Sequence, residues 1–170
     1  MSAALASGIS AADRRAITVA ALTAAYMQGV NVSIPNAALP HMQGAMSMAD
    51  DEIGWLFTSF LAASVIAIPI TPWLAGRFGR KLVFQISLVI FAIGLVLCTL
   101  ATSPIPLVLA RIVQGAAGGA LPPLSMAILL DVLSPARRAR IGLWMTVVIL
   151  LGISSGPAIG GWLSEYHGWP

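Results

Sequence analysis

The chain has 170 residues, 58% of them apolar and 9% charged, with nine basic against six acidic side chains and a formal charge of +3. A mean hydropathy of +0.91 lies outside the range of ordinary globular domains and excludes a soluble fold in favour of a membrane protein. The single Cys98 and the widely separated His41 and His167 exclude a disulfide framework and a metal centre; no serine has a paired base and no strand leads into a phosphate-cradling loop, so neither an enzyme nor a cofactor is expected.

Five apolar segments follow one another, each about 20 residues or longer, as a bilayer requires. They cover residues 16–39, 53–75, 82–101, 106–130 and 141–163 of a bundle spanning 16–164, between a tail at 1–15 and an end at 165–170. The first opens on Arg14, Arg15 and "AITVAALTAAYM", the pattern of a secretory signal. It continues through "QGVNVSIPNAALP", too long for a signal core, and four more spans follow. Gln28, Asn31 and Pro35 share one of its faces, with Ser33 and Asn36 on the adjoining one. So polar a set should face inward, either bonding to neighbouring helices or lining a hydrophilic cavity.

The acidic run Asp50, Asp51 and Glu52 precedes span two, which ends in the tight basic turn "PWLAGRFGRKLVF". Gly76 and Gly79 allow close backbone turns there, and Arg77, Arg80 and Lys81 supply three cations. Cys98, inside span three, reads as a small packing residue.

Span four carries Arg111, Gln114, Gly115, Gly118 and Pro122 at i, i+3, i+4, i+7 and i+11, on one helical face. The glycines let another helix or a substrate approach the backbone, and Pro122 and Pro123 would bend the helix. Arg111 has two readings: its long side chain snorkels to the headgroups, or it faces a water-filled cavity on a transport pathway. A guanidinium releases no proton near neutral pH, so its role would be electrostatic, holding a carboxylate ionised or ordering water. Asp131, at the far end of the span, is the acid placed to meet the basic turn, as a gate pair with Arg77 or Arg80.

Span five contains "LGISSGPAIGGW", with Gly152, Gly156 and Gly160 at successive i+4 positions beside Pro157 and Gly161. This is a groove with a built-in kink, suited either to plain helix packing or to the sliding interface of a rocking transporter.

Eight of the nine basic residues lie in alternate connections: Arg14 and Arg15, then Arg77, Arg80 and Lys81, then Arg137, Arg138 and Arg140. By the positive-inside rule the N-terminus is cytoplasmic and the C-terminal end extracytoplasmic, in a cell membrane. Topology thereby accounts for every cation but Arg111, and without an aromatic-basic platform the positive charge does not indicate nucleic-acid binding.

Together and in this order, the motifs resemble the major facilitator superfamily, and within it the drug:proton antiporters with 14 spans. "ARIVQGAAGGA" is similar to the family's span-four motif and "GISSGPAIGGW" to its span-five antiporter motif. "PWLAGRFGRK" resembles the signature loop at Leu74, Arg77, Gly79, Arg80 and Lys81, and "NVSIPNAALP" the span-one motif at Asn36, Leu39 and Pro40. Pro72 and Gly76 depart from the loop's usual first glycine and aspartate. Asn31 stands where the resemblance would often have a proton-coupling acid, and asparagine carries no proton.

The expected fold is an all-α membrane protein, five transmembrane helices of an incomplete facilitator-type N-terminal bundle. The resemblance implies the N-terminal part of a multidrug or small-molecule exporter, driven by proton antiport in the complete protein. Its partners would be the lipid bilayer, a small amphipathic substrate, protons and the missing C-terminal helices. Solute uptake and a non-transporting truncated fragment are the alternatives. Any proton carrier is then Asp131 or lies in sequence beyond these residues.

Overall fold

The computed structural model describes residues 10–46 and 50–167, with side chains described except at 35–46, 50–52, 135, 164, 166 and 167. Five helices run through the described residues: α1 (Ala11–Met46), α2 (Asp50–Phe78), α3 (Arg80–Leu100), α4 (Pro104–Val132) and α5 (Pro135–His167). Each contains an apolar stretch long enough to cross a bilayer, with mean hydropathy between 1.3 and 2.5. In a hydrocarbon layer the backbone must satisfy its own polar groups, which a continuous helix does. The chain is a multi-pass membrane protein, all-helical among the described residues.

Packing follows the distribution of small residues. α4 is the central helix: 56% of its spanning window is buried, against 22–33% in the other four. It lies along α2 on one side and α3 on another, while α1 pairs chiefly with α5 and also touches α4. Three apolar clusters fill the interior. One joins Ile53 and Leu56 to Cys98, Leu107 and Ala110. The second joins Phe84 and Phe91 of α3 to Leu121 and Leu124 of α4, and the third joins Ala21 and Ala25 of α1 to Leu129 and Met145. Large exposed side chains such as Trp55, Val65, Leu100, Leu143 and Leu150 cover the outward faces, as expected where the surroundings are lipid.

The connections from α2 to α3, α3 to α4 and α4 to α5 are short and set these helices antiparallel to their neighbours in sequence. Between α2 and α3 the reversal rests on Gly79, whose φ of 87° lies in the left-handed region that a side chain disfavours. Its amide donates to Ala75 O at 3.0 Å, closing α2. Pro104 begins α4, where its missing amide costs no helical bond.

Candidate functional site

Arg111 lies seven residues into α4, about 10 Å from its start at 1.5 Å per residue. The side chain does not run outward to the headgroups: it is 7% exposed. Its Nη1 donates to Gln114 Oε1 at 2.8 Å and to Asn31 Oδ1 at 3.3 Å. The i, i+3 spacing puts Gln114 one turn along the same face. The guanidinium carbon is 5.9 Å from the ring centroid of Phe60 on α2, within cation-π range. Spans one, two and four thus meet around one cation.

The cluster is incompletely satisfied. Within it Arg111 Nε, Gln114 Nε2 and Gln28 Oε1 are buried without a hydrogen-bond partner, as is Ser125 Oγ, about 21 Å further along α4 and outside the cluster. Buried polar groups seldom stay unpaired, so these atoms mark places where water or a ligand group belongs. A cavity of about 40 Å³ adjoins Arg111 and Asn31, with Leu56 and Phe60 among its apolar walls. That is space for ordered water beside the guanidinium and the Asn31 amide. Asp131 is twenty residues along α4, about 30 Å away, so it is not the counter-ion of Arg111.

Glycines create the room for this cluster. A Cβ on Gly118 would stand 2.5 Å from Gln28 Oε1, and one on Gly94 2.9 Å from Gln114 Cβ. Bare backbone on α4 and α3 therefore admits the two glutamines. Gly115 and Gly119 do the same for α2: added Cβ atoms would strike the backbone of Phe60 and Ser64. Ser64 Oγ, 2.8 Å from Phe60 O and 3.0 Å from Gly115 O, donates across this contact. Pro122 and Pro123 continue the same helix, half-buried.

Spacing within one span could not reveal Phe60, Ser64 or Gly94 as members of the site. Cys98, read as a packing residue, is buried in an apolar cluster and also places Sγ 3.9 Å from Gln114 Oε1. Ser64 was detectable as a hydroxyl in mid-span, although a hydroxyl often bonds only to its own helix.

In the span-five motif, Gly152, Gly156 and Gly160 are buried, Gly161 is half-buried and Pro157 is exposed. The face of Gly152 and Gly156 is filled by α1. A Cβ on Gly152 would lie 2.5 Å from Tyr26 O and 3.0 Å from Val30 N, and one on Gly156 would collide with Ser33. Tyr26 Oη and Ser155 Oγ, 2.8 Å apart, bridge the seam. The side chains of Pro35, Asn36, Leu39 and Pro40 lie outside the described ones.

At the other end of α4, Arg80 pairs with Asp131 and also donates to Ala127 O at 3.4 Å. Of the two expected cations the acid therefore takes Arg80. Arg77 lies over the rings of Trp73 and Phe78, 5.9 Å from each centroid. Lys81 is exposed beside them.

A sequence model of the Major Facilitator Superfamily matches residues 19–170. The chain belongs to the Major Facilitator Superfamily. Among relatives within the superfamily, it is 35% identical over 153 residues to the multidrug export protein EmrB of Haemophilus influenzae, covering 90% of this chain and 30% of that protein. It is 36% identical over 154 residues to the probable multidrug resistance protein EmrY of Escherichia coli, with the same coverage. Against the fatty acid resistance protein FarB of Neisseria gonorrhoeae, identity is 33% over 154 residues, again 90% of this chain and 30% of the relative. The chain thus spans about 30% of the length of these facilitator relatives. The superfamily is one of membrane transporters.

Proposed function

We propose that the chain forms the five-helix N-terminal part of an exporter of small amphipathic compounds, with the Arg111 cluster facing the transport pathway. The observation that carries this reading is a buried guanidinium bonded to Asn31 and Gln114 while its own Nε, Gln114 Nε2 and Gln28 Oε1 stay unpaired. A set arranged only for packing would satisfy those atoms or omit them, because a polar group in lipid is costly. Relatives named for multidrug export and fatty acid resistance support an amphipathic substrate.

In this reading Arg111 acts as a fixed positive charge that orders water or attracts the polar end of a substrate. The glycine seams between α1 and α5 and between α2 and α4 let helices shift against each other. The Arg80–Asp131 pair latches one end of the bundle, and the basic residues beside it put that end in the cytoplasm of a cell-membrane protein. Exchange against protons needs a titratable group, which Asn31 does not provide. Asp131, or a residue outside this chain, fills that role.

The test is a dye-efflux assay in cells expressing a complete transporter that carries these 170 residues, with Arg111 and its Met variant compared. Efflux that stops on adding a proton uncoupler, and falls at least about tenfold in the variant, is expected for an interaction in the transport step. Unchanged efflux in the variant overturns the assignment of Arg111, and dye accumulating inward overturns the direction.

A further inference from the structure

α2 and α3 meet at the Gly79 turn and diverge from it, each packing on α4 more than on the other. Between them lies a groove of about 620 Å³, floored by Ile112, Ala116 and Ala120 of α4. Its walls are apolar side chains of α2 and α3, interrupted by Thr71 and Ser87. Thr71 already donates to Ala67 O at 2.7 Å, so it asks little of an occupant. The volume falls in the range of small-molecule sites, roughly 300–1,000 Å³.

The groove follows α2 from Ala63 to Phe78, about 22 Å of helical rise. The void is long, narrow and apolar, the shape of a hydrocarbon chain. Its end is charged. Phe78 lines the groove, and the guanidinium of Arg77 stands 5.9 Å from the Phe78 ring. Leu82 lines it as well, next to exposed Lys81. Asp131 is the acid described at this end, and it is engaged by Arg80.

We propose that this groove is a binding site for an anionic phospholipid, one acyl chain lying between α2 and α3 and the phosphate at Arg77 and Lys81. Basic clusters at the ends of membrane helices recognise anionic headgroups in this way, and an acyl chain in a protein groove replaces bulk lipid contacts with fitted ones. The site is separate from the Arg111 cluster and does not depend on any transport direction.

The experiment is native mass spectrometry of the 170-residue chain released from detergent micelles, titrated with phosphatidylglycerol or phosphatidylcholine of identical chains. Expected is a one-lipid adduct favouring phosphatidylglycerol by about 25-fold, at about fivefold for each of the two cations. Joint replacement Arg77→Gln and Lys81→Gln should bring the two lipids level, and joint Ala67→Leu and Ala116→Leu, which fills the groove, should remove the adduct of either. Far-UV circular dichroism of each variant establishes that the helices persist; the charge variant alters exposed side chains and keeps the test valid if the filled one unfolds. Equal retention of both lipids by the wild-type chain, undiminished phosphatidylglycerol binding in a helical groove-filled variant, or a two-chain species in place of the lipid adduct would each overturn the proposal.

Discussion

Arg111 Nη1 lies 3.3 Å from Asn31 Oδ1, joining α4 to α1 through a charged donor and an uncharged acceptor. The bond is buried, with Asn31 8% exposed. Asn31→Ala leaves the guanidinium with Gln114 as its remaining partner. Hydrogen bonds inside membrane proteins average about 0.6 kcal/mol, and those to charged groups reach about 3 kcal/mol in soluble proteins. The expected loss is therefore about 1–2 kcal/mol, read as a lower denaturant midpoint when helix content is followed in micelles.

Removing the charge itself should act differently. Removing a buried cation also removes its desolvation penalty, several kcal/mol, which offsets the roughly 1–3 kcal/mol for each acceptor, Asn31 Oδ1 and Gln114 Oε1, left without its donor. Arg111→Met should thus leave the bundle's unfolding midpoint unchanged or raised, while the complete transporter loses most of its activity. A midpoint that falls by several kcal/mol instead would give Arg111 a structural role.

Gly152 and Gly142 lie ten residues apart on α5 and should respond with opposite signs. A Cβ at Gly152 would come 2.5 Å from Tyr26 O and 3.1 Å from Gly29 Cα, backbone atoms that can retreat only by separating α1 from α5. Gly152→Ala should cost about 1–3 kcal/mol, the usual range for overpacking. At Gly142 nothing lies within 4 Å of an added Cβ. Gly142→Ala should stabilise the bundle by up to about 1 kcal/mol through helix propensity alone. Thermal unfolding of the two single variants separates these effects.

The pattern of each helix was legible because hydropathy and helical periodicity act locally. Arg111, Gln114, Gly115 and Gly118 share a face in the sequence and in the structure, where that face is the buried one. The polar face of span one was legible for the same reason: Gln28 and Asn31 are buried. Periodicity gives each face but not the face that meets it. Phe60 enters the site because Gly115 lets α2 approach at that register, and Gly94 because Gln114 needs a dent in α3. The choice between Arg77 and Arg80 turned on the backbone at Gly79. The reversal there starts α3 at Arg80 and points its guanidinium at Asp131, while Arg77 remains on α2 over its own aromatic neighbours.

The Arg80–Asp131 pair provides the last expectation. Both side chains are nearly half exposed, at 47% and 44%. An ion pair in such a setting contributes about 0–1 kcal/mol and weakens as salt rises. Asp131→Asn should therefore shift the unfolding midpoint little. A latch has a larger effect on conformational balance: losing even about 1 kcal/mol from one of two states changes their ratio about fivefold. In the complete transporter, a spin-label or fluorophore pair across the ends of α3 and α4 should report a population shift of that order toward the open end in Asp131→Asn. The reversed pair, Arg80→Asp with Asp131→Arg, should restore the distribution if attraction between the two groups sets it. Failure of the reversal while Asp131→Asn still shifts the balance would mean that the Arg80 bond to Ala127 O, 3.4 Å long, or the acid's own hydration holds this end.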